Sequence, residues 1–449
     1  VPKFILKKLL ILSMLFTLVL IGSAGCASTV STPPVSEDET AAEVTADKEI
    51  QETQKTDKID ETEVSSDNMQ NLKDTPAKLP PQLKTSGNKI VLADDETKTV
   101  WLTGVNLGGS DWSRSLDGEN IPMQIDEIIA NWNVNVVRVP VSLRGWHGAI
   151  RWWESDTGNS EGYRQDIKDI VKKFNDAGIY VIIDLHEFNY PTDKYSYFDS
   201  GHDYTDGVPL EFPGVIDFWT TVASDEFYAN NPGVLFGIFN EYTYQTSDKT
   251  KSWDIWRNGG LSDKGEIITG HQEIVETIRC LGAKNIIIAG GLDWAYDLTG
   301  IAGVGTKDNV SFALDDKSSD GDLNKTGYGI VYDAHIYPWK GSASNWDKSV
   351  GEVRKIYPVL IGECGYDPDD GTQKNNASQW TLAKSEKWCT MFFDWVNDKD
   401  NKYGGVPASW TGWCFHTAAS PRILADWDFT PTEFWGVYVK EQLAARDYF

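Results

Sequence analysis

The sequence predicts an α/β fold: a (β/α)8 TIM barrel with a small N-terminal β-hairpin, preceded by a signal peptide and a disordered linker. Three observations predict it. Eight short apolar runs, rich in Val and Ile and without clean polar alternation, recur along residues 81–449, as buried parallel strands do. Helical patterns separate most of them, the order of a βα barrel. No GxGxxG or GxxxxGK[ST] turn accompanies a strand, which weakens the doubly wound open sheet as the alternative.

Each element can be justified in chain order. Lys3, Lys7 and Lys8 precede the apolar run "LLILSMLFTLVLIG" (9–22), too short to span a bilayer comfortably. "SAGC" then ends on Cys26 and resembles a lipobox, with Ser23 where such boxes usually carry Leu. Residues 1–26 are therefore expected to be a signal peptide. The product would be exported, extracellular or at the cell surface, and anchored through lipidated Cys26, with ordinary signal-peptidase cleavage near Ala27 as the alternative. Residues 27–80 hold no Phe, Trp or Tyr, and their 13 acidic residues against 5 lysines give a net charge of −8. Such a segment cannot bury enough apolar surface to offset its ordering entropy, so it is expected to be a tether. From residue 81 to 449 the chain is expected to form one catalytic domain. Its opening "NKIVLADDETKTVWLTGVN" suggests a hairpin turning at residues 94–97. The strand candidates are "VWLTGVN", "VNVVRVPV", "GIYVIIDLHEF", "GVLFGIFNE", "NIIIAGG", "GIVYDAHIY", "YPVLIGECG" and "ASWTGWCFH". Helical periodicity lies in 121–132, 163–178, 214–228, 262–282, 344–357, 378–398 and 430–446.

Composition narrows the partners. With 41 Lys and Arg against 67 Asp and Glu, the formal charge is −26, a field that repels phosphate backbones and anionic lipid surfaces. Nucleic acid is excluded as a partner, and membrane association is expected only through the N-terminal lipid. A monomer is expected. The 19 tryptophans suit both core packing and stacking on sugar rings, with core packing expected for more than half. Cys280, Cys364, Cys389 and Cys414 lack CxxC spacing and are expected to be unpaired thiols behind the strands.

In a barrel of this kind, chemistry sits at the carboxyl ends of the strands. The second strand carries Arg138; the third ends on His186 and Glu187; the fourth on Asn240 and Glu241; the sixth on His335 and Tyr337; the seventh on Glu363. The eighth carries Trp413, with His416 beyond it. Any one of these is an ordinary strand end. Together they would put two carboxylates, a cation, two imidazoles, an amide, a phenol and an indole in one pocket. Breaking a glycosidic bond needs a protonated carboxyl for the leaving oxygen and an ionised one for the cationic sugar carbon.

The ordered set "RVP", "LHE", "FNE", "HIYP", "GE" and a Trp on the eighth strand resembles glycoside hydrolase family 5, cellulase-like retaining enzymes of the large barrel clan, over residues 83–448. The resemblance implies that Glu241 is the general acid/base and Glu363 the nucleophile. It implies that Arg138 orients the nucleophile and Asn240 holds the sugar 2-hydroxyl. His335 and Tyr337 would flank the two carboxylates, His186 would line the reacting subsite, and Trp413 would be the ring platform. It implies no cofactor and no metal. Tyr242 stands where the family's motif continues with Pro. The substrate expected is β-1,4-glucan, cellulose or a related polymer, attacked internally; β-mannan and xyloglucan are alternatives, as is a lipoprotein that binds polysaccharide without cutting it. Trp146, Trp152, Trp153, Trp294, Trp339 and Trp380 are expected in loops on the active face.

Two metal readings compete. His186, Glu187, His202 and Asp203 lack HExxH or paired-His spacing for zinc. "DKSSDGDLN" offers Asp316, Ser318, Asp320 and Asp322 around Gly321, like half a calcium loop, but the twelfth position is Gly327 instead of Glu. A solvated acidic loop is the simpler expectation.

Overall fold

The computed structural model describes residues 79–111, 120–147, 160–197, 210–368 and 381–446. The expected signal peptide, Cys26 and nearly all of the linker lie outside the described residues, as do Trp152, Trp153, Trp380, His202 and Asp203.

Eight parallel strands close into a barrel in sequence order. They are β1 (Thr103–Leu107), β2 (Val136–Val141), β3 (Tyr180–Leu185), β4 (Val234–Gly237), β5 (Ile287–Gly290), β6 (Ile330–Ile336), β7 (Val359–Cys364) and β8 (Ser409–Phe415). Closure runs through Trp410↔Thr103 and Phe415↔Leu107. Among the described residues, seven helices longer than two turns surround the strands: α1 (Asn120–Asn131), α2 (Ser160–Asp176), α3 (Val215–Ser224), α4 (Lys249–Asn258), α5 (His271–Cys280), α6 (Leu382–Val396) and α7 (Gly436–Ala444). In α2 the buried Ile167, Ile170, Val171 and Phe174 recur at helical spacing and pack with the outward strand residues Val137, Val139, Val181 and Ile183 in one core.

The βα alternation is less regular than the sequence pattern suggests. Both α4 and α5 follow β4, and α4 was not expected. Its signals are local: Asp248 caps the Thr250 and Lys251 amides, and Trp253 and Trp256 are buried three residues apart. After β5 the described chain makes only short turns (Leu292–Ala295, Thr299–Ala302, Lys307–Asn309 and Leu323–Lys325) before β6. Beyond β6, residues 343–354 are helical but broken by a π turn at Asp347–Gly351.

The N-terminal hairpin exists, one turn earlier than expected. Leu83–Ser86 pairs with Lys89–Leu92 around Gly87 and Asn88, a two-residue turn that suits the twist of the strands. The turn at 94–97 does form, held by the Thr97 amide on Asp95 Oδ1, but it leads back to a single bridge, Val91↔Thr99. Leu83 and Ile90 of the hairpin pack with Val136, Tyr180, Ile182, Leu235, Ile288, Val331 and Leu360, plugging the amino-terminal end of the lumen.

At least ten of the 19 tryptophans are buried, so core packing accounts for most of them. Trp146 is one of these, a correction to the sequence reading. It is 1% exposed and packs edge-on against Phe218 with ring centres 4.8 Å apart. A short helical turn, Leu143–Trp146, turns it into the core immediately after β2. The four described cysteines form no disulfide with one another.

Candidate active site

The strand ends bring the expected residues into one connected cluster. Arg138 of β2 joins several neighbours at the rim: Nη1 donates to Glu363 Oε1 at 2.9 Å and to Asn106 Oδ1 at 3.0 Å, and Nη2 donates to Asn240 Oδ1 at 2.7 Å. Tyr337 donates its hydroxyl to Glu363 Oε2 at 2.7 Å. His335 Nδ1 lies 2.9 Å from Glu241 Oε1 and 3.5 Å from Glu363 Oε2, between the two carboxylates. His186 stacks on Trp413, ring centres 5.4 Å apart and planes 7° from parallel.

Local geometry aims these groups. Inward residues recur every second position along a strand: Val136 then Arg138 on β2, Ile182 then Asp184 on β3, Val331 then Asp333 then His335 on β6. On β7 strict alternation from Leu360 would send Glu363 outward into the helix layer. The pairing register shifts between Ile361 and Cys364, so Gly362 and Glu363 both face the lumen. Gly362 is required there: its amide donates to Asp333 Oδ1 at 2.7 Å, and a Cβ would sit 2.4 Å from Asp333 Oδ2. A bulge re-aims one side chain at the rim, as bulges beside active sites commonly do.

The sequence reading missed a second tier directly below the rim. Asp184 Oδ2 binds His186 Nδ1 at 2.7 Å and Arg138 Nη2 at 3.0 Å. Asp333 lies 3.4 Å from His335 Nε2. Asn106 braces Arg138 while its own amide donates to the Gly362 carbonyl at 2.9 Å. Asp111, just after β1, places Oδ2 3.9 Å from His186 Nε2. A signal was present: "DLH" and "DAH" each put an Asp one pleat beneath a strand-end His. Glu187 is not part of the cluster; its carboxylate accepts the Leu143 amide at 2.9 Å and braces the turn after β2. His416 likewise accepts the Ala418 and Ala419 amides and shapes its own loop.

The two central carboxylates have unlike surroundings. Burial opposes ionisation of Glu363, but the His335 and Arg138 charges outweigh it, with help from His186 and the Tyr337 hydroxyl, and bring its pKa down to about 2. Burial likewise disfavours charge on His335, yet Glu363, Asp333 and Glu241 raise it to about 10. His186 is also raised, against burial, by Asp184 and Asp111. Burial pushes Asp111 up. Glu241 is the more exposed of the pair and takes its described hydrogen bond from His335 alone. Asn240 is oriented by Arg138, which can only donate, so its Oδ1 faces the guanidinium. Its buried Nδ2 is left without a partner, a free donor beside Glu241.

Glu241, His335 and Glu363 each offer one ligand-type atom within 4.8 Å of the others, the described trio whose geometry could admit a metal ion. Both Glu363 oxygens already face donors, Arg138 and Tyr337, which makes them poor metal ligands. In the acidic loop, Asp316 turns to Arg279 and to the Gly329 amide, and Asp320 to Ser318, the Asp322 amide and Lys325. These contacts match a solvated, internally bonded loop.

Trp294 and Trp339 are exposed on the loops after β5 and β6, as expected. Tyr242 is 1% exposed, with its ring edge-on to His271 at 5.7 Å. It packs behind the site and does not line it.

Comparison with known proteins agrees with the barrel fold. A family model described as cellulase (glycosyl hydrolase family 5) matches residues 93–415. The cellulase CelDZ1 of Thermoanaerobacterium sp is 23% identical over 312 residues, covering 66% of this chain and 66% of that relative. An endoglucanase of Clostridium saccharobutylicum is 23% identical over 375 residues, 82% of this chain and 66% of the relative. The matched region thus spans just under two thirds of the length of these relatives. A beta-glucanase structure from Saccharophagus degradans superposes with a TM-score of 0.55 at 23% identity, covering 82% of this chain and 94% of that one. Its cellotetraose complex gives a TM-score of 0.56. The eight-stranded barrel, the paired glutamates at the ends of the fourth and seventh strands, and a family match over most of the chain lead to one conclusion: the chain belongs to glycosyl hydrolase family 5.

Proposed function

We propose that the protein is a retaining, endo-acting glycoside hydrolase that cleaves β-1,4-glucan through a covalent glycosyl-enzyme. One observation carries the reading. Carboxylate oxygens of Glu241 and Glu363 approach within 4.8 Å, close to the separation of about 5–5.5 Å in retaining enzymes and short of the ~6.5–9.5 Å that admits a water between them.

The roles follow from the unlike surroundings. Glu363, held ionised by Arg138 and His335 and fixed by Tyr337, attacks the anomeric carbon. Glu241 protonates the departing glycosidic oxygen, then accepts a proton from the water that releases the product. The free Nδ2 of Asn240 suits the hydroxyl next to the reacting carbon, a contact that tightens in the transition state. Trp413, fixed by stacking on His186, offers its face to the ring in the reacting subsite. The relatives named endoglucanase favour a β-glucan, and exposed Trp294 and Trp339 suit an extended chain stacked along the cleft. The chemistry uses this chain's own acids and needs no cofactor.

We further propose export, a lipid on Cys26, a linker at 27–80 that holds the catalytic domain off the membrane, and a monomeric enzyme. Radiolabelled palmitate on the wild type but not on Cys26→Ala would support the anchor, and light scattering of residues 81–449 reads the oligomeric state.

The deciding experiment incubates residues 81–449 with carboxymethylcellulose, glucomannan and xyloglucan and counts new reducing ends. Proton NMR of the first product reads the anomer. Release from the cellulose derivative, with the β-anomer formed first, supports the proposal. Release from glucomannan or xyloglucan alone moves the substrate, and binding without release on any glycan replaces the hydrolase with a polysaccharide binder.

A further inference from the structure

The turn after β5 holds a backbone that ordinary residues avoid. Asp293, Trp294 and Ala295 lie consecutively in the left-handed region, with φ of 57°, 57° and 56°. None is glycine, so the surroundings must hold the conformation in place. The turn also presents Trp294 at 49% exposure, a large apolar face in solvent. It packs against the Glu241–Tyr242 segment. Gly290 permits the approach, since a Cβ there would stand 3.1 Å from both the Ala295 side chain and the Asn240 carbonyl.

A cation from the neighbouring loop grips this turn. Lys340 Nζ donates to the Asp293 carbonyl at 3.1 Å and to Asp293 Oδ2 at 2.8 Å. The same ammonium sits 4.6 Å from the Tyr296 ring centre and 5.9 Å from that of Trp294. Tyr296 returns a hydrogen bond from its hydroxyl to the Lys340 carbonyl at 3.3 Å. Next to Lys340, Trp339 is stacked on Tyr337 at 4.6 Å and 15°, and Tyr337 holds Glu363. One loop is therefore registered on the nucleophile through Tyr337, the other on the acid through Gly290 and Asn240, and Lys340 ties the two together.

We propose that Lys340 is a positioning residue for the leaving-group side of the cleft: by clamping the β5 turn to the β6 loop it holds Trp294 as a platform for the glucan segment that departs from Glu241. The inference rests on the hydrolase reading above and deepens it. Lys340 reaches no reacting atom; its effect passes through Trp294. Substrates with sugars on the leaving-group side should feel its loss, and substrates whose leaving group is a small phenol should not.

The test compares cellopentaose with 4-nitrophenyl β-cellobioside for wild type, Lys340→Met, Lys340→Arg, Trp294→Ala and the Lys340→Met/Trp294→Ala double variant. Lys340→Met is expected to lower kcat/KM on cellopentaose about five- to tenfold, and on the nitrophenyl substrate less than about twofold. Lys340→Arg, which keeps a cation over the rings, is expected to stay within about threefold of wild type on cellopentaose. In the Trp294→Ala background Lys340→Met should add nothing further, because the two changes remove one interaction. Equal losses on both substrates, an undiminished Lys340→Met effect without Trp294, or no loss on cellopentaose would each overturn the inference. A wild type inactive on both substrates would overturn the hydrolase reading itself, and the inference with it.

Discussion

The two ends of the barrel lumen are built by the same strands and hold opposite chemistry. At the amino-terminal end Val136, Ile182, Val331 and Leu360 meet Leu83 and Ile90 of the hairpin in a dry apolar plug. One pleat higher the same strands present Arg138, Asp184, Asp333 and, through a bulge, Glu363. The lower layer is stabilised by burial alone and tolerates loose specification, since any apolar residue of similar volume can fill it. The upper layer is stable only as a set. Each charge there is deeply buried, and each is matched by an opposite charge or a hydrogen bond. The difference teaches where function can reside: a plug has no use for exact partners, while a network of matched charges holds Glu363 ionised.

The contrast can be broken or sharpened by substitution. Glu363→Gln is expected to lower kcat roughly 10⁴-fold or more while oligosaccharide binding persists in calorimetry. Near wild-type turnover would remove Glu363 from the nucleophile's place. Arg138→Met leaves Asp184 and Glu363 buried without their shared cation and should cost about 3–5 kcal/mol in urea unfolding. An unchanged midpoint would mean the upper layer is not the coupled set described above.

Ile90→Ala in the plug should cost about 2–5 kcal/mol and leave kcat and KM of the folded enzyme unchanged. Its cost should also be the same at every pH, which the upper layer's contribution is not. Glu363 has a folded pKa of about 2 against an ordinary value of 4.5, so its contribution is present above 4.5 and lost as pH falls through 2. His335 has a folded pKa of about 10 against 6.5, so its contribution is full below 6.5 and lost as pH rises through 10. Thermal melts should place the network's best support between the two ordinary values, and His335→Gln should flatten the alkaline decline. A pH-dependent Ile90→Ala cost would blur the two layers into one. The smallest effect is expected behind the site. The Tyr242 hydroxyl is buried without a partner, so Tyr242→Phe should change stability by less than about 1 kcal/mol and leave activity intact. A large loss of activity would show that Tyr242 reaches the sugar after all.

Much of this was legible in the chain, unevenly. Strand-end residues could be read because a buried apolar run that stops on Asn240–Glu241 or Glu363 marks its own boundary. Asp184, Asp333 and Asn106 could not be singled out in the same way, because they lie within the strands, where a lone polar residue looks like an interruption. Asp184 and Asp333 gain meaning only from the His one pleat above, and Asn106 only from Arg138 beside it on β2. Trp146 was misplaced because a loop position says nothing about which way a short helical turn will rotate a side chain. The α4 helix was hidden by its polar composition, although its Asp248 cap was in plain sight.

By itself the sequence determined the barrel, the strand on which each candidate site residue sits, and the family to which such an order belongs. Periodicity and run length are local properties, and eight repeats of them leave few topologies open. The tertiary structure alone decided which donors meet which carboxylate. Arg138 and Glu363 are joined only when the barrel closes, and Glu363 faces the lumen only because the register slips beside it. The approach of the two glutamates to within 4.8 Å and the His335 and Arg138 charges that keep Glu363 ionised are sums over distant strands, and no stretch of the chain encodes them locally.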